Sequence, residues 1–196
     1  RVRELRLLQE AAPGSACDDA DGLIAALRMI KDPAEIDAMR RAIKLTEDAL
    51  DDVVDVIRAG MTERQVANEL LMALMRRGAE GIAFEPLIQS GPNAALPHLT
   101  STARVIQSGE GLLMDFGITL DGYNSDITRT FAVGEPSAEF KRIYELVKQA
   151  NAAGRAAARP GATGQDIDRA TRQVIEDAGY GQYFTHRTGH GLGLQG

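Results

Sequence analysis

Cysteine occurs once in these 196 residues, tryptophan not at all, and aromatic residues make up only 5%. A single thiol cannot close an internal disulfide, so Cys17 fits a reducing compartment. No apolar run approaches the roughly 18–20 residues of a transmembrane helix. The first residues, Arg-Val-Arg-Glu-Leu-Arg, lack the apolar stretch of a signal peptide. A basic block is missing too: 22 Lys and Arg against 28 Asp and Glu leave a net charge of −6, a poor match to nucleic acid or an anionic membrane. What remains is 44% hydrophobic and 26% charged, enough to bury a core at the length of one domain or of one domain with part of a second. These numbers describe a cytoplasmic globular protein and leave its chemistry open.

Residues 1–30 do not read as the start of a domain. A basic-apolar stretch meets the turn cluster Ala12-Pro13-Gly14-Ser15, then acidic Asp18, Asp19 and Asp21, then apolar Leu23 to Met29. The expectation is the tail of an upstream domain plus a connector. From Pro33 the pattern turns helical, with Asp32 as N-cap. Ile36, Ile43, Leu50 and Ile57, with Met39 and Val53 between them, predict an apolar face running to a stop at Gly60. Glu47, Asp48, Asp51, Asp52 and Asp55 are read as a solvated face of that helix rather than as metal ligands. Thr62-Glu63-Arg64-Gln65 is a capping box for a second helix ending near Gly78. Ser137 caps a third helix to about Arg159, and a fourth runs from about Gln165 to Ala178. Between these pairs, Gly111–Leu120 and Tyr123–Val133 read as a β-hairpin around Asp121-Gly122, and Tyr183–Leu194 reads as extended. The class is α+β, an antiparallel sheet flanked by helix pairs.

The hairpin places Asp115 and Asp126 on opposite strands. With a Leu120-Asp121 turn they face each other directly; with an Asp121-Gly122 turn Asp126 is the diagonal neighbour. Both registers put the two carboxylates on one face. Two such charges about 5 Å apart repel by about 3 kcal/mol at an effective dielectric near 20. A bridging cation or a retained proton relieves that repulsion, and so does solvent if the face is exposed. Only three histidines occur. His186 and His190 lie in a stretch too rich in glycine for a helix interior, and an extended conformation would set them on one face. His98 lies in the loop Ser90-Gly91-Pro92-Asn93-Ala94-Ala95-Leu96-Pro97-His98. The string Gly191-Leu192-Gly193-Leu194-Gln195-Gly196 matches G-x-G-x-x-G, but no βαβ unit surrounds it. No G-x-S-x-G elbow exists and Cys17 is far from any histidine in sequence, which argues against a nucleophilic side chain.

Met114-Asp115-Phe116-Gly117, then Gly122-Tyr123-Asn124-Ser125-Asp126-Ile127-Thr128-Arg129-Thr130, then His186-Arg187-Thr188-Gly189-His190-Gly191-Leu192-Gly193-Leu194 together resemble the pita-bread metallopeptidases, above all Xaa-Pro aminopeptidases and prolidases. The connector Leu27–Ile36 and the pair Ser90-Gly91-Pro92-Asn93 and Pro97-His98 are similar to family patterns as well. The resemblance spans residues 23–196, with its motifs in order.

It implies a partial pita-bread (creatinase/aminopeptidase-like) fold, with residues 1–30 the tail of an N-terminal creatinase-like domain and connector, and 31–196 the N-terminal portion of the catalytic domain. It implies two divalent metal ions, manganese ahead of zinc or cobalt, with Asp115, Asp126 and His190 as ligands. His98 and His186 match the histidines that contact substrate. The family's two glutamate ligands fall beyond residue 196, so this chain alone is expected to be inactive. The implied activity is hydrolysis of the Xaa-Pro bond of a proline-containing peptide by a homodimer. A metal-free creatinase-like hydrolase and a non-catalytic binding module on the same fold are the alternatives.

Overall fold

The structure, a computed structural model, describes residues 2–195; Arg1 and Gly196, the last glycine of the G-x-G-x-x-G string, lie outside the described residues. Two helices, α1 (Val2–Ala11) and α2 (Asp21–Met29), occupy the stretch read as tail and connector, and neither has a buried residue.

Helix α3 (Pro33–Val54) starts as the sequence predicts, with Asp32 and Glu35 forming a reciprocal capping box at 2.9 and 2.7 Å. Its end and its buried face differ from expectation. It stops at Val54, not Gly60. The β-branched run Val53-Val54 and Val56-Ile57 resists helix continuation, and the chain instead pairs with a later loop through Gly60 N to Ile106 O at 3.0 Å and Ile106 N to Met61 O at 2.9 Å. The face turned to the core is Ala38, Ala42, Thr46, Ala49, Leu50 and Val53; Ile36 stays 38% exposed. Small side chains let the sheet approach closely, which a count of bulky residues does not reveal. The acidic face pairs with cations: Arg77 reaches Asp52 at 2.6 Å, and Arg129 reaches Glu47 at 3.0 Å.

Helix α4 (Glu63–Arg76) carries the expected Thr62–Gln65 capping box. Then come β1 (Gly81–Ile82), β2 (Leu87–Ser90), β3 (Glu110–Phe116), β4 (Ile118–Leu120), β5 (Tyr123–Asn124) and β6 (Ile127–Val133). The predicted hairpin exists but is split between two three-stranded antiparallel sheets, ordered β1-β4-β5 and β2-β3-β6. Its turn is Asp121-Gly122, with φ of 51° and 76°, because Leu120 pairs with Tyr123. Asp115 pairs with Thr128, so Asp126 is the diagonal neighbour and the directly facing register is excluded.

The split sits at Gly117, where an added Cβ would stand 2.0 Å from the backbone oxygen of Ser125. Only glycine admits that approach. Across the break the ladder runs through a side chain: Ile118 N donates to Ser125 Oγ at 3.0 Å, and Ser125 N to Ile118 O at 2.9 Å. Ser125 Oγ also lies 2.6 Å from Thr46 Oγ1, whose own proton goes to Ala42 O at 2.7 Å. The serine therefore donates to the threonine, and this buried hydroxyl pair ties α3 to the residue before Asp126.

Leu112, Met114 and Phe116 are fully buried on one face of β3, in a core with Val66, Leu70 and Leu74 of α4. The opposite face carries Gly111, Leu113 and Asp115. Helices α5 (Ala138–Ala157) and α6 (Gly164–Asp177), capped by Ser137 and Thr163, form the second pair. Phe140 of α5 lies over Gly111, where a Cβ would meet it at 2.3 Å. Helices α3 and α4 pack on the strands, whereas α5 and α6 pack mainly on each other. The stretch expected to be extended, 183–194, starts at the last residue of a 3-10 turn, Gly181–Tyr183, and continues as irregular chain. Its backbone is held at Phe184, His186 and Thr188 by side chains of α6, and at Gly193 by a hydrogen bond from Asn124 N of β5 to Gly193 O at 2.8 Å. Among the described residues no helix is long and apolar enough to cross a membrane.

Candidate active site

Alternation along β3 turns Asp115 away from the core, and the break at Gly117 and Ser125 turns Asp126 toward the same space. Asp115, Asp126, His98 and His190 line one cavity of about 430 Å³, together with Ala83, Phe84, Leu87 and Leu192 as its apolar wall. Thr128, the cross-strand partner of Asp115, donates to its Oδ1 at 2.8 Å. Burial pushes the Asp115 carboxyl above its ordinary range; the Thr128 hydrogen bond opposes this, and the Asp126 charge adds to it. The like-charge pair inferred from spacing is therefore real in space.

His190 comes from the far end of the chain. Its Nδ1 lies 2.8 Å from Gly191 O and its Nε2 lies 3.2 Å from Asp126 Oδ2. A carbonyl oxygen only accepts, so Nδ1 carries a proton, and in the neutral ring Nε2 presents a lone pair to the carboxylate. Two acceptors at that distance require a proton or a cation between them. Hard carboxylate oxygens beside an imidazole whose second nitrogen is held by a backbone carbonyl suit a divalent metal ion. The donor set fits such an ion in kind. It is not a preformed cage: among the described residues no three His, Cys, Asp or Glu side chains are close enough to form a metal-binding group.

His186 is not among the residues lining this cavity. Its ring stands edge-on to Phe184 at 5.0 Å, and Nδ1 lies 2.8 Å from Arg187 O. Even spacing from His190 predicts a shared face only in an extended strand, and the chain here is not one. Cys17 is exposed and free.

Two supporting residues escape a reading of the sequence. Asp168 of α6 accepts from Thr188 N and Oγ1, each at 2.8 Å, while Arg172 donates to Phe184 O at 2.7 Å and His186 O at 2.9 Å. These two residues hold the glycine-rich segment that carries His190. Asp168 and Arg172 are also an (i, i+4) ion pair, a local signal the sequence does contain. Their partners 12 to 20 residues away are not foreseeable.

The model of metallopeptidase family M24 matches residues 37–196. An uncharacterized peptidase of Bacillus subtilis is 43% identical over 169 residues, covering 86% of this chain and 48% of that protein. A Xaa-Pro dipeptidase of Lactobacillus helveticus is 41% identical over 180 residues, covering 91% and 49%. Among solved structures, an X-Pro aminopeptidase from Thermotoga maritima superposes with a TM-score of 0.95 at 36% identity, over 100% of this chain and 55% of that one. A Xaa-Pro dipeptidase from Bacillus anthracis does so at 0.96 and 38%, with the same coverage. The chain spans about half the length of the curated relatives it matches. The fold is accordingly the pita-bread fold, present in part, and the family's chemistry implies divalent metal ions. A family match over most of the chain, with the whole chain superposing on peptidases of this type, means that the chain belongs to metallopeptidase family M24.

Proposed function

We propose that the protein hydrolyses the Xaa-Pro bond of dipeptides or of peptide N-termini. The observation that carries this is the meeting of Asp115, Asp126, His190 and His98 around one half-apolar cavity. Asp115, Asp126 and His190 would hold divalent ions, which supply Lewis acidity toward the scissile carbonyl and toward water. Manganese is the first choice on ligand hardness, ahead of zinc or cobalt. His98 contributes an N–H to the oxygen on which charge develops as the carbonyl is attacked. Phe84, Leu87 and Leu192 form the wall against which a proline ring packs and which excludes bulk water. Thr128 keeps one oxygen of Asp115 occupied and so fixes which lone pairs face the cavity. His186 is assigned to substrate on the resemblance alone.

Residues 1–30 are taken as the tail of an N-terminal creatinase-like domain and connector, and 31–196 as the N-terminal portion of the catalytic domain. The absence of buried side chains in α1 and α2 and the start of the family match at residue 37 support this division. The lone cysteine supports a cytoplasmic setting, and a homodimer is the assembly we assign. The test is hydrolysis by the full-length, manganese-loaded protein of Ala-Pro against Ala-Ala, each also as the first two residues of a longer peptide. Turnover confined to the proline substrates supports the reading. Equal turnover of both, or of neither, contradicts it.

A further inference from the structure

Glu63 is the first residue of α4, where an acid is ordinary, yet its side chain is fully buried. One carboxylate oxygen accepts from Ser90 N at 2.7 Å, Ser90 Oγ at 2.9 Å and Asn93 Nδ2 at 3.0 Å. The other accepts from Thr102 Oγ1 at 2.6 Å, Thr102 N at 3.0 Å and Asn93 Nδ2 at 3.1 Å. A helix start needs none of these partners, which lie 27 to 39 residues further along the chain. Burial pushes this carboxyl up, but the Thr102 and Ser90 hydrogen bonds outweigh it and hold the group below its ordinary range.

A second buried side chain grips the same loop. Gln89, 1% exposed, donates from Nε2 to Leu96 O and to Leu99 O, each at 2.8 Å. Ser101 Oγ accepts from Ile88 N at 2.9 Å and donates to Pro86 O at 3.0 Å. Loop 90–102 is thus fastened at Ser90, Asn93, Leu96, Leu99, Ser101 and Thr102. His98 stands between the two carbonyls that Gln89 holds, and its side chain lines the cavity with Asp115 and Asp126.

We infer that Glu63 and Gln89 are positioning residues that hold the His98 imidazole over the carboxylate pair. A buried charge is costly, and an apolar pair of similar volume would stabilise a fold about as well. What the carboxylate adds is a single loop geometry, since its acceptors satisfy the donors of three separate residues at once. Glu63→Gln turns an amide N–H₂ toward those donors, and Gln89→Met keeps the volume while releasing both carbonyls. The inference rests on the assignment of His98 to substrate, and the two can fail separately.

Two readouts test it. In the full-length protein the imidazole signals of His98, His186 and His190 are assignable by NMR through single His→Ala variants. Glu63→Gln and Gln89→Met are each expected to shift or multiply the His98 signal while leaving those of His186 and His190 in place. In the full-length enzyme each variant is expected to lower kcat about 10-fold with KM nearly unchanged, as misplaced catalytic groups do. In a His98→Ala background the same substitutions are expected to cost less than about twofold, because the residue they position is gone. A stationary His98 signal, three signals moving together, or kinetic losses that multiply undiminished on His98→Ala would each overturn the inference. Wild-type kcat in His98→Ala alone would instead overturn the role of His98 and, with it, any catalytic purpose for the clamp. Should Glu63→Gln fail to fold, Gln89→Met decides the matter, since it removes two neutral hydrogen bonds and no charge.

Discussion

Asp168 accepts both the amide and the hydroxyl proton of Thr188, 20 residues further along the chain, and so ties the segment bearing His190 to α6. The Thr188 amide, the Thr188 hydroxyl and then Arg172 lower the Asp168 carboxyl from 3.8 to about 2. Because the folded value lies below the unfolded one, this anchor is complete above about pH 4 and is lost as pH falls through about 2. A carboxyl titration by NMR is expected to show that midpoint for Asp168; an ordinary midpoint near 4 would mean that the Thr188 contact is not kept in solution. Asp168→Ala is expected to weaken divalent metal binding by the full-length protein about 10-fold or more, as loss of an orienting residue does. Unchanged affinity would separate the anchor from the site.

Gly117 gives the second prediction. A methyl group there meets the Ser125 backbone oxygen, which cannot swing aside as a flexible side chain can. Gly117→Ala is expected to cost about 2–3 kcal/mol in urea unfolding. Gly81→Ala on β1, where nothing lies within 4 Å, serves as the control and is expected to stay within about 0.5 kcal/mol. Equal effects at the two positions would show that the strand break relaxes freely.

These residues also show what a sequence discloses. The Asp121-Gly122 turn and the period-two alternation of β3 were readable because each depends on near neighbours, and they were enough to put Asp115 and Asp126 on one face. The capping residues Asp32, Thr62 and Ser137 were readable for the same reason. The break at Gly117 was not, because it depends on how closely Ser125 approaches from the opposite strand. Nor was the buried stripe Ala38-Ala42-Thr46, since a helix face rich in small residues reads as weakly apolar although it lets the sheet approach most closely. Glu63 looked like part of a capping box; its real partners at Ser90, Asn93 and Thr102 are set by tertiary structure. Even spacing sets His186 and His190 on one face only in a strand, and the chain at 184–194 is irregular.

The two histidines of the cavity are expected to differ in role. His98→Ala should leave the metal content of the full-length protein intact and lower kcat, because an N–H offered to developing charge adds little to metal binding. His190→Ala should lose metal, since the lone pair facing Asp126 goes with it. Elemental analysis beside steady-state kinetics distinguishes the two. Normal metal content and wild-type turnover in both variants would place the site elsewhere.

The most direct test is the metal stoichiometry of Asp126→Asn, measured by elemental analysis on the full-length protein after manganese loading and gel filtration. The substitution keeps the shape of the side chain beside His190 while removing the charge that pairs with Asp115 across the strand break. The wild type is expected to retain two ions per chain. The variant is expected to lose most of both, with Xaa-Pro hydrolysis falling by at least about 100-fold. Two ions per chain retained in Asp126→Asn, with hydrolysis undiminished, would contradict the assignment of this cavity as the metal centre.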